Sequence, residues 1–115
     1  MTLSAQIARF EEMAVAEFGD VTGSYTVLAG PYTHTTRLLA IDNGTDKNIF
    51  ISLDGVTDHF VVLTLSGKIF DIASNKVSPV AQLELPRNMT VYVKAESALP
   101  TTGSVYASAV YASNN

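Results

Sequence analysis

The sequence predicts an all-β protein: an antiparallel β-sandwich, jelly-roll-like, with about eight strands and a helical or extended N-terminal arm. Three observations support this prediction. The chain has 115 residues, the size of one ordinary domain. After Asp20 it breaks into short runs rich in β-branched and aromatic residues, most of them separated by turn residues at intervals of about 8–12 residues. The last nineteen residues, 97–115, contain no Asp, Glu, Lys or Arg and include an alternating pattern typical of a strand.

The N-terminal arm is predicted over residues 1–20 and the sandwich domain over residues 21–115. Apolar side chains in the arm recur at steps of three and four residues, which places them on one side of a helix. They are Leu3, Ile7, Phe10, Ala14 and Phe18. Because a lone helix of about 15 residues is marginal in water, we expect the arm to dock on its own domain or on a partner. An extended, only partly helical arm is the other possibility.

The strands of the sandwich are predicted from runs that turn residues interrupt. They cover residues 25–29, 36–42, 47–53, 59–65, 68–72, 81–85, 90–95 and 104–112. The turn dipeptide Asn43-Gly44 predicts a hairpin between the second and third of these strands. Residues 59–65 are apolar on both faces, which predicts a strand buried on both sides, and Ser66-Gly67 predicts the tight turn after it.

The final strand has two possible positions in a sheet. Alternation places Val105, Ala107, Ala109 and Tyr111 on one face, and Tyr106, Ser108 and Val110 on the other. An uncharged strand at a free edge invites pairing with another chain, and natural edges are usually blunted with Lys, Pro or bulges. The strand is therefore either internal to a sheet or an edge that meets a neighbouring chain.

Composition excludes several classes of function. The chain has no Cys, which excludes disulfides, thiolate metal sites and cysteine nucleophiles. Its net charge is −4, with −3 in residues 1–20 and no basic patch, so nucleic-acid binding is not expected. No apolar run approaches the ~20 residues of a transmembrane helix, no secretory signal is visible, and no membrane partner is expected. Charged residues make up only 16%, against about 25% in an average domain, which favours burial in an assembly over a solitary monomer.

The densest polar cluster runs from Asp54 to His59 and includes Asp58. Such a cluster could hold a metal, but the EF-hand pattern is absent and Asp54-Gly55 is ordinary turn chemistry, so the turn is the favoured interpretation. No Gly-x-Ser-x-Gly elbow accompanies His59 to indicate a hydrolase. We therefore predict that the protein is not an enzyme and has no cofactor and no metal site.

Several motifs between residues 36 and 112 occur in a recognisable order. They are Ile41-Asp-Asn43, Ile49-Phe-Ile-Ser-Leu-Asp-Gly-Val-Thr-Asp-His-Phe60, Phe70-Asp-Ile-Ala-Ser-Asn75, Leu85-Pro86, Thr90-Val-Tyr-Val-Lys94 and Pro100-Thr-Thr-Gly-Ser-Val-Tyr-Ala-Ser-Ala-Val-Tyr-Ala112. In this order they resemble a group of small virion-associated β proteins of tailed bacteriophages. In that group a strand ending in Ser-x-Asp-Gly leads to one beginning Asp-His-Phe, and the chain closes on a Gly-Ser-Val-Tyr strand. The resemblance does not include the arm.

This resemblance implies a structural virion protein rather than an enzyme, placed in capsid decoration (cement) or at the head-tail neck. It implies the major capsid protein or neck and portal-region proteins as partners, a homo-oligomer, and location in the virion after synthesis in the bacterial host cytoplasm. It also favours an internal position for the closing strand.

Two elements are predicted to contact the partner, because they carry apolar or Tyr side chains that an interface would bury. The stronger candidate is the arm, through Leu3, Ile7, Phe10 and Phe18, and the second is the final strand, through Tyr106, Val110 and Tyr111. The alternative function is a receptor- or glycan-binding module of a phage tail or fibre. It would expose Tyr25, Tyr32 and Tyr92 in a cleft, although the chain has no Trp to serve as a sugar platform.

Overall fold

The computed structural model describes residues 6–71 and 85–114. In this part of the chain it shows a sandwich of two antiparallel sheets, which confirms the predicted fold class. The strands are β1 Gln6–Phe10, β2 Ala14–Glu17, β3 Thr26–Tyr32, β4 Thr36–Asn43, β5 Ile49–Ser52, β6 Phe60–Val62, β7 Ser66–Asp71, β8 Met89–Ala95 and β9 Ser104–Asn114, and Phe18–Asp20 forms one turn of 3-10 helix.

Sheet A has the strand order β1-β9-β4-β7, with β2 also paired to β9, and sheet B has the order β3-β8-β5-β6. The strands β1 and β2 are two halves of one strand, because both run antiparallel along β9. Phe10 pairs with Val110 and Ala14 with Ala107, so three residues face two across a bulge. With β1 and β2 counted together, the strand orders become 1-8-3-6 and 2-7-4-5, which is the jelly-roll arrangement.

The predicted N-terminal helix is wrong for residues 6–20, which form β1, β2 and the 3-10 turn. The spacing suggested one apolar stripe, but strand alternation places Ile7 and Phe10 on opposite faces. Pairing with β9 satisfies backbone groups, whereas a short helix gains little without a surface to pack on. The extended alternative is the one observed. Leu3 lies outside the described residues, and the division into arm and domain at residue 20 stays a prediction.

The core lies between the two sheets. Alternate residues of the central strands point inward and are almost fully buried; they include Val91, Val93 and Ala95 of β8 and Val105, Ala107 and Ala109 of β9. Because β9 lies between β1/β2 and β4, its predicted internal position is confirmed. The low charge of this strand reflects burial of its inner face and pairing along both of its edges.

The hairpin predicted between residues 36–42 and 47–53 is wrong, because β4 belongs to sheet A and β5 to sheet B. The segment between them crosses from one sheet to the other. Buried Asn43 holds this corner: its amide nitrogen donates to the carbonyl oxygens of Lys47 (2.8 Å) and Val62 (3.1 Å). These side-chain hydrogen bonds satisfy two buried backbone acceptors where the chain passes between the sheets.

The strand predicted over residues 59–65 is shorter and more exposed than expected. β6 covers only Phe60–Val62 at the edge of sheet B, and Leu63 and Leu65 are exposed. Leu65 has a positive φ of 54° and forms the turn, so Ser66-Gly67 belongs to β7 instead. Prediction failed here because two apolar faces in a short run do not distinguish a buried strand from a strand end and its turn.

The strand predicted over residues 81–85 lies outside the described residues except for Leu85. This residue forms an antiparallel bridge with Thr36, at the start of β4. Within residues 6–71 and 85–114, no helix is long and apolar enough to cross a membrane.

Candidate protein-binding surface

The outer face of sheet A carries an uncovered apolar surface. Leu39 and Ile41 of β4 point inward and are buried. Alternation therefore turns Leu38 and Ala40 outward. Antiparallel pairing carries the same orientation to the neighbouring strands, because residues directly opposite share a face. Ile69, which pairs with Ala40, is accordingly 72% exposed.

Three rows of paired residues make up this surface. They are Phe10, Val110, Leu38 and Asp71; Ser108, Ala40 and Ile69; and Val15, Tyr106, Asp42 and Gly67. Phe10 is 78% exposed and Val15 is 50% exposed. The acidic members, Asp42 and Asp71, both lie on the β4 and β7 side. We call the apolar and aromatic members the apolar face: Phe10, Val15, Leu38, Ala40, Ile69, Tyr106 and Val110.

A shallow depression of about 450 Å³ lies at one corner of the apolar face, beside Tyr106. Asp42 and Leu65 form part of its wall. The glycine at position 67 leaves room for the Asp42 carboxylate, because a Cβ at this position would collide with it. The depression is a recess that a protruding side chain of a partner can occupy.

Three of the predicted contact residues come together on this face. Phe10 and Val110 are directly paired, and Tyr106 lies on the same side of β9. Phe18 lies away from them in the 3-10 turn, where its side chain is exposed and its N–H donates to the carbonyl oxygen of Gly103 (2.9 Å).

Tyr111 and Ile7 lie on the opposite side of sheet A from the apolar face. Tyr111 follows Val110, so alternation directs it the other way. Its ring stacks on His34, with ring centroids 3.8 Å apart and planes 3° apart. Ile7 is half-buried and pairs with Ser113 through the backbone.

Sequence reasoning missed Val15, Leu38 and Ile69 as surface residues. Val15 lies in the arm but outside its predicted apolar stripe, and Ile69 stands in a strand whose partner the sequence does not reveal. One signal was available: β4 reads Leu38-Leu-Ala-Ile41 and is apolar on both faces. A strand with one wet face would alternate apolar with polar residues, so this run already indicates a second covered face.

The outer face of sheet B carries an aromatic and charged cluster instead. The Tyr25 hydroxyl donates to Asp58 Oδ1 (2.6 Å), and Lys94 Nζ lies 3.2 Å from the same oxygen. Lys94 Nζ also lies over the ring of Tyr25, 4.7 Å from its centroid. Burial and the hydrogen bond to Asp58 raise the pKa of Tyr25, while the Tyr25 hydroxyl and Lys94 lower the pKa of Asp58. These contacts hold the loop 53–59 against the sheet.

The three tyrosines of the glycan-binding alternative do not form one cleft. Tyr25 and Tyr92 are on the outer side of sheet B, but Lys94 lies over the first ring. Gly55 lies against the second ring so closely that an added Cβ would be 3.3 Å from it. Tyr32 is buried at only 6% exposure, and burial raises its pKa.

Asp54 has the geometry of a turn residue. Its Oδ1 accepts hydrogen bonds from the Ser52 hydroxyl (2.8 Å) and from the backbone N–H groups of Thr57 (2.7 Å) and Val56 (2.8 Å). These bonds, with the Thr57 N–H as the largest contribution, hold the pKa of Asp54 well below its usual range. Among the described residues, no group of three or more His, Asp or Glu side chains could hold a metal ion.

His59 closes the same loop. Its Nδ1 accepts a hydrogen bond from the Leu53 N–H (2.9 Å), and the backbone N–H of His59 donates to the Ile51 carbonyl oxygen (3.0 Å). Because Nδ1 is an acceptor, the neutral imidazole carries its proton on Nε2. The ring is therefore oriented by the backbone of the loop that contains it.

Neither a scan against protein-family models nor a search of curated proteins found a match.

Proposed function

We propose that this protein is a structural binding module that docks on a protein partner through the apolar face of sheet A. The observation that carries the proposal is the exposure of Phe10, Val15 and Ile69 in three neighbouring rows of one sheet. Apolar residues scattered singly over a surface are normal, whereas a contiguous apolar patch marks a site of contact. The second apolar face of β4 supports the same conclusion from the sequence.

The apolar face would form the centre of an interface. The three rows on four strands cover roughly 400 Å², from a strand spacing of ~4.8 Å and a same-face repeat of ~6.8 Å, and the seven residues of the apolar face take up roughly 230 Å² of this area. That is roughly 0.3 of the ~800 Å² that each partner buries in a standard interface. A polar rim would supply the remaining area, and repetition around a symmetric particle would add avidity to a modest single contact.

The proposed setting is the virion of a tailed phage, as a decoration (cement) protein or a neck component. The resemblance of residues 36–112 to virion-associated β proteins supports this setting. The strand order is compatible with it, since jelly rolls occur in viral capsid domains and also in lectins and cupins. The proposed partners are the major capsid protein or neck and portal-region proteins, with this chain as a homo-oligomer. Binding, rather than catalysis, is the proposed activity.

A receptor- or glycan-binding module is the less supported function. Sugar sites use exposed aromatic ring faces together with polar groups that fix orientation. In this chain Lys94 lies over the ring of Tyr25, Gly55 lies against Tyr92, and Tyr32 is buried.

Two valines make a matched pair for testing the proposal. Val15 and Val27 are both on edge strands and both point outward, at 50% and 57% exposure, but Val15 is on sheet A and Val27 is on sheet B. Sedimentation velocity would give the mass of each purified variant. Co-sedimentation with heads of the phage that encodes the chain would measure docking.

We expect Val15→Lys to weaken self-association or head binding at least about tenfold, because the interface would have to bury an unpaired charge. Val27→Lys should leave both measurements unchanged. Equal effects of the two substitutions would overturn the assignment to sheet A. A protein that stays monomeric, does not co-sediment with heads and binds a sugar would overturn the structural role itself.

A further inference from the structure

The depression beside Tyr106, which we call the recess, lies where β4, β7 and β9 approach the turn 63–65. Tyr106 and Leu65 supply its apolar walls. Tyr106 is half-buried and its ring lies beside Gly44, where an added Cβ would be 3.8 Å from the ring, and Leu65 is 79% exposed. A side chain that enters the recess would therefore contact an aromatic ring and an aliphatic group.

The Asp42 carboxylate forms a polar wall of the same recess. Asp42 is exposed, and it pairs directly with Tyr106 on one side and with Gly67 on the other. Because Gly67 has no side chain, the carboxylate occupies the space in which a Cβ at position 67 would stand. Among residues 6–71 and 85–114, this carboxylate has no hydrogen bond and no ion pair. Its negative charge is therefore available to a partner.

The other polar side chains of the recess have partners already. The Ser66 hydroxyl donates to the Leu63 carbonyl oxygen (3.0 Å), and the buried Asn43 amide is bonded within the corner between the sheets. Lys68, although close in sequence, pairs with the inward-facing Ile41 and so points to the other side of the sheet. The Asp42 carboxylate therefore sets the charge of the recess, in a chain whose net charge is −4.

We propose that the recess receives an arginine side chain of the protein partner, an inference that rests on the proposed function and gives the partner its chemistry at one corner of the apolar face. A planar guanidinium can donate two N–H groups to a carboxylate and can also stack on an aromatic ring. A lysine ammonium would pair with Asp42 as a point charge, but it is more strongly hydrated and cannot stack on Tyr106. An uncharged side chain would leave Asp42 without a counter-charge inside the covered interface.

Blocked amino acids test the recess directly, without the partner. N-acetyl-arginine amide and N-acetyl-citrulline amide have nearly the same shape, and only the first is charged. The whole protein would be titrated at constant ionic strength and followed by NMR of its backbone amides. The arginine compound should shift the signals of Leu65, Gly67 and Tyr106 with a Kd of about 10–100 mM, as two weak contacts allow. The citrulline compound should bind at least about threefold more weakly, with N-acetyl-lysine amide between the two.

Asp42→Asn keeps the shape of the side chain and removes its charge. This substitution should abolish the difference between the arginine and citrulline compounds. It should also weaken co-sedimentation with heads about fivefold and reduce its dependence on salt. Glu96→Gln is the control, because it removes the same charge from an exposed position after β8 of sheet B and should change neither measurement. Tyr106→Leu should remove the advantage of the arginine compound over the lysine compound.

The two proposals fail in different ways. Docking that Val15→Lys weakens and Asp42→Asn leaves unchanged would overturn the arginine site and leave the docking face in place. A wild-type protein that neither docks nor self-associates would overturn the docking face, and the titration would then decide the chemistry of the recess by itself.

Three results of the titration would overturn the arginine site: equal binding of the arginine and citrulline compounds, shifts centred away from the recess, or arginine binding that Asp42→Asn leaves unchanged. If Asp42→Asn weakened self-association and not head binding, the occupant would be a second copy of this chain, and the assignment to another protein would be overturned.

Discussion

The two ends of the sandwich differ in how completely their buried polar side chains are paired. One end, which we call the bonded end, contains the loops 18–25, 44–48, 63–65 and 96–103. The other, which we call the opposite end, contains the loops 33–35 and 53–59 and residues 85–88. At the bonded end, Asn43 and Thr45 are buried and hydrogen-bonded to one another and to the backbone. At the opposite end, buried Ser52 donates a hydrogen bond to Asp54 (2.8 Å), whereas the buried Tyr32 hydroxyl and Thr36 Oγ1 have no hydrogen-bond partner among the described residues.

Side chains also link the loops of the bonded end to one another. Asp46 accepts hydrogen bonds from the N–H (2.8 Å) and the hydroxyl (2.6 Å) of Thr101. Asn48 accepts from the N–H of Thr64 (2.9 Å), whose hydroxyl donates to the carbonyl of Thr45. Three of the four loops are thereby joined into one network, in which each link depends on the others being in place.

Unpaired buried polar groups cost stability, and among the described residues those of Tyr32 and Thr36 lie at the opposite end. Removal of a paired group at the bonded end should therefore destabilise strongly, whereas removal of an unpaired group at the opposite end should do little or stabilise.

Gly103→Ala should have the largest effect. Gly103 has a φ of +89°, and a Cβ there would collide with the Gly44 carbonyl across the two loops. Positive φ costs a non-glycine residue about 1–2 kcal/mol, and the collision adds to it, so we expect a loss of at least about 3 kcal/mol. Thermal unfolding followed by circular dichroism should show a Tm more than about 10 °C lower.

The matched control for this substitution is Gly23→Ala in a neighbouring loop of the same end. A Cβ at Gly23 would meet no atom within 4 Å, and its φ is not in the left-handed region. The expected change is within about 0.5 kcal/mol. A small loss of stability from Gly103→Ala would mean that the two loops can separate at little cost. The close contact between Gly103 and Gly44 would then contribute little to the stability of the bonded end.

Part of this fold could be predicted from the sequence. Alternation with flanking turn residues located β8 and β9 to within two residues at each end. The N-terminal strands were missed because a bulge interrupts their alternation, and residues 6–18 then show a helical spacing. The crossing of the chain at Asn43 was missed because Asn43-Gly44 is compatible both with a hairpin turn and with a corner between sheets.

The candidate surface was predicted less completely than the fold. Phe10, Tyr106 and Val110 were selected for their chemistry, and the structure places them on one face. Val15 and Ile69 were not selected, because alternation tells which residues share a face within a strand but not which strands lie side by side. Strand order is set by contacts distant in sequence, and local patterns do not contain them.

Two threonines test the comparison of the ends directly. Thr45 and Thr36 are both buried, at 0% and 1% exposure. Among the described residues, the Thr45 hydroxyl has partners in Asn43 (2.6 Å) and the Lys47 carbonyl (2.9 Å), and the Thr36 hydroxyl has none. Thr45→Val should lower the free energy of unfolding by about 2 kcal/mol, because the Asn43 side chain and the Lys47 carbonyl each lose a hydrogen bond. Thr36→Val should be neutral or stabilise by up to about 1 kcal/mol, because valine has nearly the same shape as threonine and lacks the unpaired hydroxyl.

Chemical denaturation of both variants measures these changes in the free energy of unfolding. A loss from Thr36→Val as large as that from Thr45→Val would show that the Thr36 hydroxyl is satisfied in solution. In that case the two ends would not differ in the way described above.

Acid should weaken a link of the bonded end by a smaller amount. The Thr101 hydroxyl, followed by the Thr101 N–H, lowers the pKa of Asp46 from 3.8 to about 2. Since the folded pKa lies below the unfolded one, this stabilisation is complete above about pH 3.8 and is lost as the pH falls toward 2. Asp54 and Asp58 have lowered pKa values as well, so their protonation at low pH should add to the fall in wild-type Tm.

Asp46→Asn should make the fall in Tm between pH 4 and pH 2 shallower, by less than the Tm change that Thr45→Val causes at neutral pH. Thr101→Val should do the same, because it removes the hydroxyl that makes the largest contribution to the lowered pKa of Asp46. Thr102→Val is the control, since Thr102 approaches Asp46 through its backbone N–H (3.4 Å), which the substitution keeps. If all three variants had the same pH profile as the wild type, the Asp46–Thr101 link would contribute nothing to stability. The bonded end would then be stabilised by its buried groups alone.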